Sequence, residues 1–174
     1  DIAPGNCLID EWVRRNSKKK FDEKGLIAKS GKVYFLILNQ ALDNFHISKF
    51  TKSLDTKDFD ISFVKGLSLE DGCATLTEFT AHLIANGIKS INSLKNSIST
   101  NNLISGGGRK NIFLIESIDK YLTKENSELK DIDDYGFDGD FLESQAFGFL
   151  AVRSFLKLPI SFPYTTRCKF PTVV

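Results

Sequence analysis

Apolar residues along this chain recur mostly at helical spacing, and two short apolar stretches break that rhythm. Leu8, Ile9, Trp12 and Val13 follow a stiff opening through Pro4 and Asn6, which predicts a helix from about Cys7 to Asn16 with Asn6 as its cap. Val33–Asn44 is apolar nearly throughout, and its length favours helix over strand. The clearest periodicity lies in Ala74–Ile98, where Leu76, Phe79, Leu83, Ile84, Ile88, Ile91, Leu94 and Ile98 define a long core-facing helix. Asn102–Ser105 then reads as a short strand, and Leu129–Ile132 as a second candidate. Between them Leu114, Ile115, Ile118 and Leu122 mark an amphipathic helix over Asn111–Leu122. A last helix from about Phe141 to Leu156 carries Leu142, Ala146, Phe149 and Leu150. Asp43–Asp60 reads as a long connection, and the proline-rich tail beyond Leu156 as extended or irregular.

Short strands alternating with longer helices predict an α/β layer architecture, in which ligands collect where strands end and helices begin. At 174 residues, with 41% hydrophobic and 26% charged side chains, the chain fits one domain with a real core. Its net charge of +1 provides no field to draw it to nucleic acid or to an anionic membrane. The scattered cysteines Cys7, Cys73 and Cys168 form no zinc or disulfide pattern and fit a reducing compartment. No apolar run reaches a membrane-spanning length, so the expected location is the cytoplasm. Met is absent and the chain opens on Asp1, which suggests a processed product or a piece of something longer.

The candidate chemistry centres on Ser105–Asn111, "SGGGRKN", at a strand-to-helix junction. Glycines there forfeit packing, so they serve either a difficult turn or the close approach of a ligand. Free N–H groups and the positive end of a helix dipole would favour an anion, yet the run matches neither the P-loop nor the G-x-G-x-x-G pattern. A nucleotide site and a structural turn both stay open. Asp1 stands before a Pro-Gly turn, as a base or as an ordinary turn residue. Asp140 and Glu143 have the spacing of a capping box. Glu78, His82 and Asn86 form a helical row without a third metal ligand in register, which favours a polar face over a metal site. His46 has no recognisable partner, and Cys73 has no base nearby.

Three separated pieces, "DIAPGNCLIDEW", "ATLTEFTA" with "SGGGRKN", and "FLESQAFGFLAVRSFLKLPISFP", occur in an order and spacing that resemble the C-terminal half of the bacterial anhydro-N-acetylmuramic acid kinases. The likeness covers essentially the whole chain, and the loop Lys52–Phe59 is also similar to its family counterpart. These kinases belong to the actin-like sugar-kinase superfamily. The resemblance therefore implies an α/β actin-like ATPase (ribonuclease H-like) lobe, a sheet flanked by helices. It implies ATP and Mg2+ as cofactors, the metal held mostly by groups outside this chain. It also implies an anhydro-amino-sugar substrate whose 1,6-anhydro ring is opened by water and phosphorylated on O6 during peptidoglycan recycling.

Residue by residue, Asp1 matches the base for the attacking water. Gly106, Gly107 and Gly108 match the loop that receives adenosine, Asn111 matches the residue that opens the next helix, and Glu143 matches a glutamate of the sugar site. No residue is assigned to a metal. On the same reading, residues 1–174 form the C-terminal lobe of a two-lobe kinase and the N-terminal lobe, with its Gly-Thr-Ser phosphate loop, is absent. The partners would then be the sugar and that lobe, in the same or a separate chain, with a homodimer left open. The alternative is a non-catalytic nucleotide-binding or scaffold module. Where the family reads Asp-Thr-Gly-Pro-Gly-Asn this chain has Ile2 and Ala3, and Tyr164 and Arg167 replace two glycines near the end.

Overall fold

The computed structural model describes residues 2–45, 54–95, 100–123 and 127–173. The first helix, α1, spans Cys7–Asn16 and buries Leu8, Ile9, Trp12 and Val13, the four positions its periodicity selects. Burying an aliphatic side chain of this size contributes about 1.5–3 kcal/mol. Asn6 does not cap it, because its backbone is already helical (φ −76°, ψ −8°) and its side chain is engaged elsewhere. A 3-10 turn over Glu23–Gly25 leads into α2 (Leu26–Ser30), whose first N–H groups are held by Asp22: its carboxylate accepts from Ile27 at 2.7 Å and Ala28 at 2.9 Å. The apolar run after Val33 forms α3 (Phe35–Asn44), a helix as its length predicts.

The central element is α4, Leu69–Lys95, which begins a turn earlier than its apolar stripe. One side of it packs against α1 and α3 through Leu76, Phe79 and Leu83, with Phe45, Phe59 and Phe63 completing an aromatic cluster. Trp12 is fastened to the same helix by its indole N–H, which donates to the Leu69 carbonyl at 3.1 Å. Another side presents Ala81 and Ala85 to α5 (Ile112–Leu122), where Leu114, Ile118 and Leu122 are buried.

Around α5 the chain builds a β-α-β unit. β1 (Thr100–Ile104) pairs in parallel with β2 (Ser127–Asp131), Asn102 opposite Leu129, and these form a two-stranded sheet. Parallel neighbours need a crossover, and α5 provides it. The described fold is thus mixed α/β with a small parallel sheet packed beside helices.

After β2, a 3-10 turn over Ile132–Tyr135 precedes α6 (Leu142–Phe155). None of the residues of α6 is buried, including Leu142, Ala146, Phe149 and Leu150. The tail is more ordered than its prolines suggest. It forms a short helix, α7 (Pro163–Thr166), and an antiparallel bridge between Ser161 and Thr172. Arg167, standing where the resembling family has glycine, takes the left-handed conformation itself (φ 56°) and closes the turn onto the Pro163 carbonyl at 3.1 Å.

Candidate functional site

The chain leaves β1 at Ile104 and bends sharply. Gly106 adopts φ 76°, ψ −175°, a conformation that a side chain strongly disfavours. Its N–H donates to the Gly139 carbonyl at 2.8 Å. A 3-10 turn over Gly107–Lys110 follows, and Asn111 caps α5 by accepting from the Leu114 N–H at 3.1 Å. A β-carbon built on Gly106, Gly107 or Gly108 would meet nothing within 4 Å. The glycines therefore leave open space rather than fitting beneath packed side chains.

Contacts at this bend bring together segments distant in sequence. The buried Asn111 uses its remaining amide donor on Asn6, Nδ2 to Oδ1 at 3.0 Å, which ties the Pro4–Asn6 turn to the start of α5. On the other side Arg109 reaches the loop before α6, with Nη1 2.5 Å from Asp140 Oδ1 and Nη2 3.1 Å from Asp133 Oδ2. Hydrogen bonding to Arg109 and then Lys110 holds the Asp140 carboxyl below the usual carboxylate range; the Gly139 N–H, then Arg109, does the same for Asp133. Asp140 is thus committed to an ion pair and not to a capping box. Phe141 occupies the cap position of α6 without a side-chain cap.

Two cavities flank the bend. The smaller, about 230 Å³, is lined by Phe21 together with Asn6, Asp10, Asp22, Lys24 and Lys110, beside Gly107. Burial raises the Asp10 carboxyl above its ordinary value there. The larger, about 620 Å³, runs from Gly108 along β1 between Ile84 and Ile88 of α4 and Leu114 and Ile118 of α5.

Of the residues singled out in the sequence, Gly106–Gly108 and Asn111 form one continuous feature. Glu143 sits exposed in the first turn of α6, three residues beyond Asp140. Asp1 and His46 lie outside the described residues, as does the start of the Lys52–Phe59 loop. Ile2 packs so closely on Gly87 of α4 that a β-carbon there would fall 2.4 Å from Ile2 Cγ2.

The Glu78 row is a polar face. Glu78 is buried and accepts from Lys120 Nζ at 3.3 Å, while His82 and Asn86 pair with each other at 3.1 Å. Burial, with Lys89 adding to it, depresses the His82 pKa. Among the described residues no group of His, Cys, Asp and Glu side chains is placed to hold a metal ion. Cys73 is buried and its thiol pushed up to about 12, chiefly by burial, so it is no nucleophile. No described helix is long and apolar enough to cross a membrane.

Asp22 and Arg109 belong to the site's framework but drew no attention in the sequence. Asp22 was legible as an acceptor placed before a Gly-containing turn and a helical run. The carboxylate partners of Arg109 are 22 to 31 residues away, beyond any local pattern.

A glycine bend that closes a β-strand into a capped helix, open on its outer side and flanked by cavities, is the kind of site that admits a nucleotide in α/β proteins. Comparison with known proteins is specific. The sequence profile of anhydro-N-acetylmuramic acid kinase matches residues 1–174. The chain is 57% identical over 176 residues to the anhydro-N-acetylmuramic acid kinase of Pelagibacter ubique (strain HTCC1062), covering 99% of the chain and 46% of that protein. It is 36% identical to that of Zymomonas mobilis and 38% identical to that of Brucella canis, in each case covering 98% of the chain and 45% of the relative. The chain belongs to the anhydro-N-acetylmuramic acid kinase family.

One expectation is corrected by these matches. The chain spans about half the length of the curated relatives it matches, each a single polypeptide. Neither the C-terminal placement nor a missing N-terminal lobe as a partner is retained.

Proposed function

We propose that the bend Gly106–Gly108 receives the adenosine part of ATP in a kinase that acts on 1,6-anhydro-N-acetylmuramic acid, in an actin-like fold. The observation that supports this reading is the open space over all three glycines, at a junction that also anchors the first sequence motif through Asn6 and the residue just before the third, Asp140.

The chemistry follows from the residues present. Missing β-carbons let a ribose approach the backbone of the bend, while Asn111 fixes the entry to α5 and keeps the bend in register with the Pro4–Asn6 turn. The smaller cavity sets Lys24 and Lys110 against Asp10 and Asp22, and Lys110 is paired with Asp140, so its charge is balanced and the reading rests on the open backbone of the bend. Glu143, exposed at the start of α6, is free to hydrogen-bond a sugar hydroxyl. By resemblance Asp1 would remove the proton from water as the anhydro ring opens, and the departing oxygen would become the phosphate acceptor. ATP brings the transferable phosphoryl group, with Mg2+ on its phosphates. No described carboxylate cluster fits that ion, so these residues are given no part in holding it.

The test is equilibrium binding of a non-hydrolysable ATP analogue to the chain and to Gly107→Asp. The fold has room for that side chain, but an extra carboxylate would occupy and repel. The variant should bind about tenfold or more weakly with an unchanged unfolding midpoint. No binding by the unsubstituted chain would overturn the assignment. Binding without phosphorylation of the anhydro-sugar would favour the non-catalytic nucleotide-binding module.

A further inference from the structure

Arg109 lies within the glycine bend, yet its guanidinium points into protein and its side chain is only 6% exposed. Nη1 donates to the Gly106 carbonyl at 3.1 Å and to Asp140 at 2.5 Å, Nη2 to Asp133 at 3.1 Å, and Nε lies 3.4 Å from Asp131. These acceptors come from the bend itself, the end of β2, the turn after it, and the entry to α6. Gly139 makes room for the group: a β-carbon there would fall 2.6 Å from Arg109 Nε. The Gly139 backbone is itself held on both sides, its N–H by Asp133 at 2.7 Å and its carbonyl by Gly106. A planar fork satisfies several acceptors in fixed directions, which an ammonium on a flexible stem does not.

We infer that Arg109 is a positioning residue: its buried guanidinium sets the shape of the glycine bend and locks it to the start of α6, so that the bend and Glu143 move as one body. With its side chain only 6% exposed and its donors engaged by Gly106, Asp133 and Asp140, Arg109 acts by holding the bend in place. The consequence for nucleotide affinity rests on the reading of the bend as the adenosine subsite; the mechanical link does not.

The experiment compares Arg109→Met, Arg109→Lys and Asp140→Asn with the unsubstituted chain in two measurements. The first is amide hydrogen exchange over residues 106–111 and 139–145 without nucleotide, with α1 and α4 as internal reference. The second is the dissociation constant of a non-hydrolysable ATP analogue. Arg109→Met should speed exchange in both segments by about tenfold or more while the reference helices keep their protection. Arg109→Lys should recover only part of it, since it restores the charge and not the fork. Nucleotide affinity should fall in the same order.

Should Arg109→Met fail to fold, Asp140→Asn decides, because it leaves the guanidinium its other partners and should loosen the bend and the first turn of α6 together. Unchanged exchange in that variant, or full rescue by lysine, would overturn the inference. Exchange that responds as expected in a chain that binds no nucleotide would sustain the link and overturn the adenosine reading instead.

Discussion

The three glycines of the bend are not equivalent. Only Gly106 has a positive φ, and its ψ of −175° places it in a region that other residues enter at a cost of about 1–3 kcal/mol. Gly106→Ala should therefore lower stability by that amount, measured as the shift in urea midpoint. Gly107→Ala, at a position with ordinary φ and open space, should stay within about 0.5 kcal/mol of the parent. The contrast separates what the bend needs for folding from what it leaves clear for a ligand.

Among the elements, α5 depends most on one polar residue. Asn111 accepts from the Leu114 N–H and donates to Asn6, so Asn111→Ala removes a cap and a link between distant segments. The expected loss is about 1–2 kcal/mol by chemical denaturation. The loop before α6 depends instead on ionised carboxylates. Asp133 and Asp140 are held below their ordinary value of 3.8, so the stabilisation they contribute is fully present above that pH. It is lost as pH falls below 3.8 through their lowered values. Replacing both by Asn should flatten the acid limb of a stability profile in that range.

At the same scale the limits of sequence reading become physical. Helices α1 and α5 were legible because an apolar stripe and a polar flank agree over a few residues. The spacing of Asp140 and Glu143 looked equally persuasive as a cap, but two cations from the glycine bend compete for Asp140, and short-range spacing does not register a partner 31 residues away. Asn6 illustrates the same point, since its side chain serves a residue 105 positions on. The glycine bend itself was legible; what surrounds it depended on long-range pairing.

For the molecule as a whole, polarity is unevenly distributed. The core collects around α4, whereas α6 exposes Phe147, Phe149 and Val152, and Phe155 at its end is 85% exposed. Isolated apolar side chains on a surface are ordinary, but several exposed on one helix favour association between copies. Phe155→Glu should raise the concentration at which the chain stays monomeric in light scattering. Its unfolding midpoint should shift by no more than about 0.5 kcal/mol equivalent, because almost none of that ring is buried.

The pairing of Asn6 with Asn111 also bears on how this protein reaches its folded state. The contact spans 105 positions, and Asn6 immediately precedes the helix that holds Trp12, the chain's single indole. Intrinsic fluorescence can thus time the docking of that helix during refolding. The glycine bend, which Asn111 holds in register with Asn6, should mature no sooner than the emission change, making it a late product of assembly rather than a preformed loop.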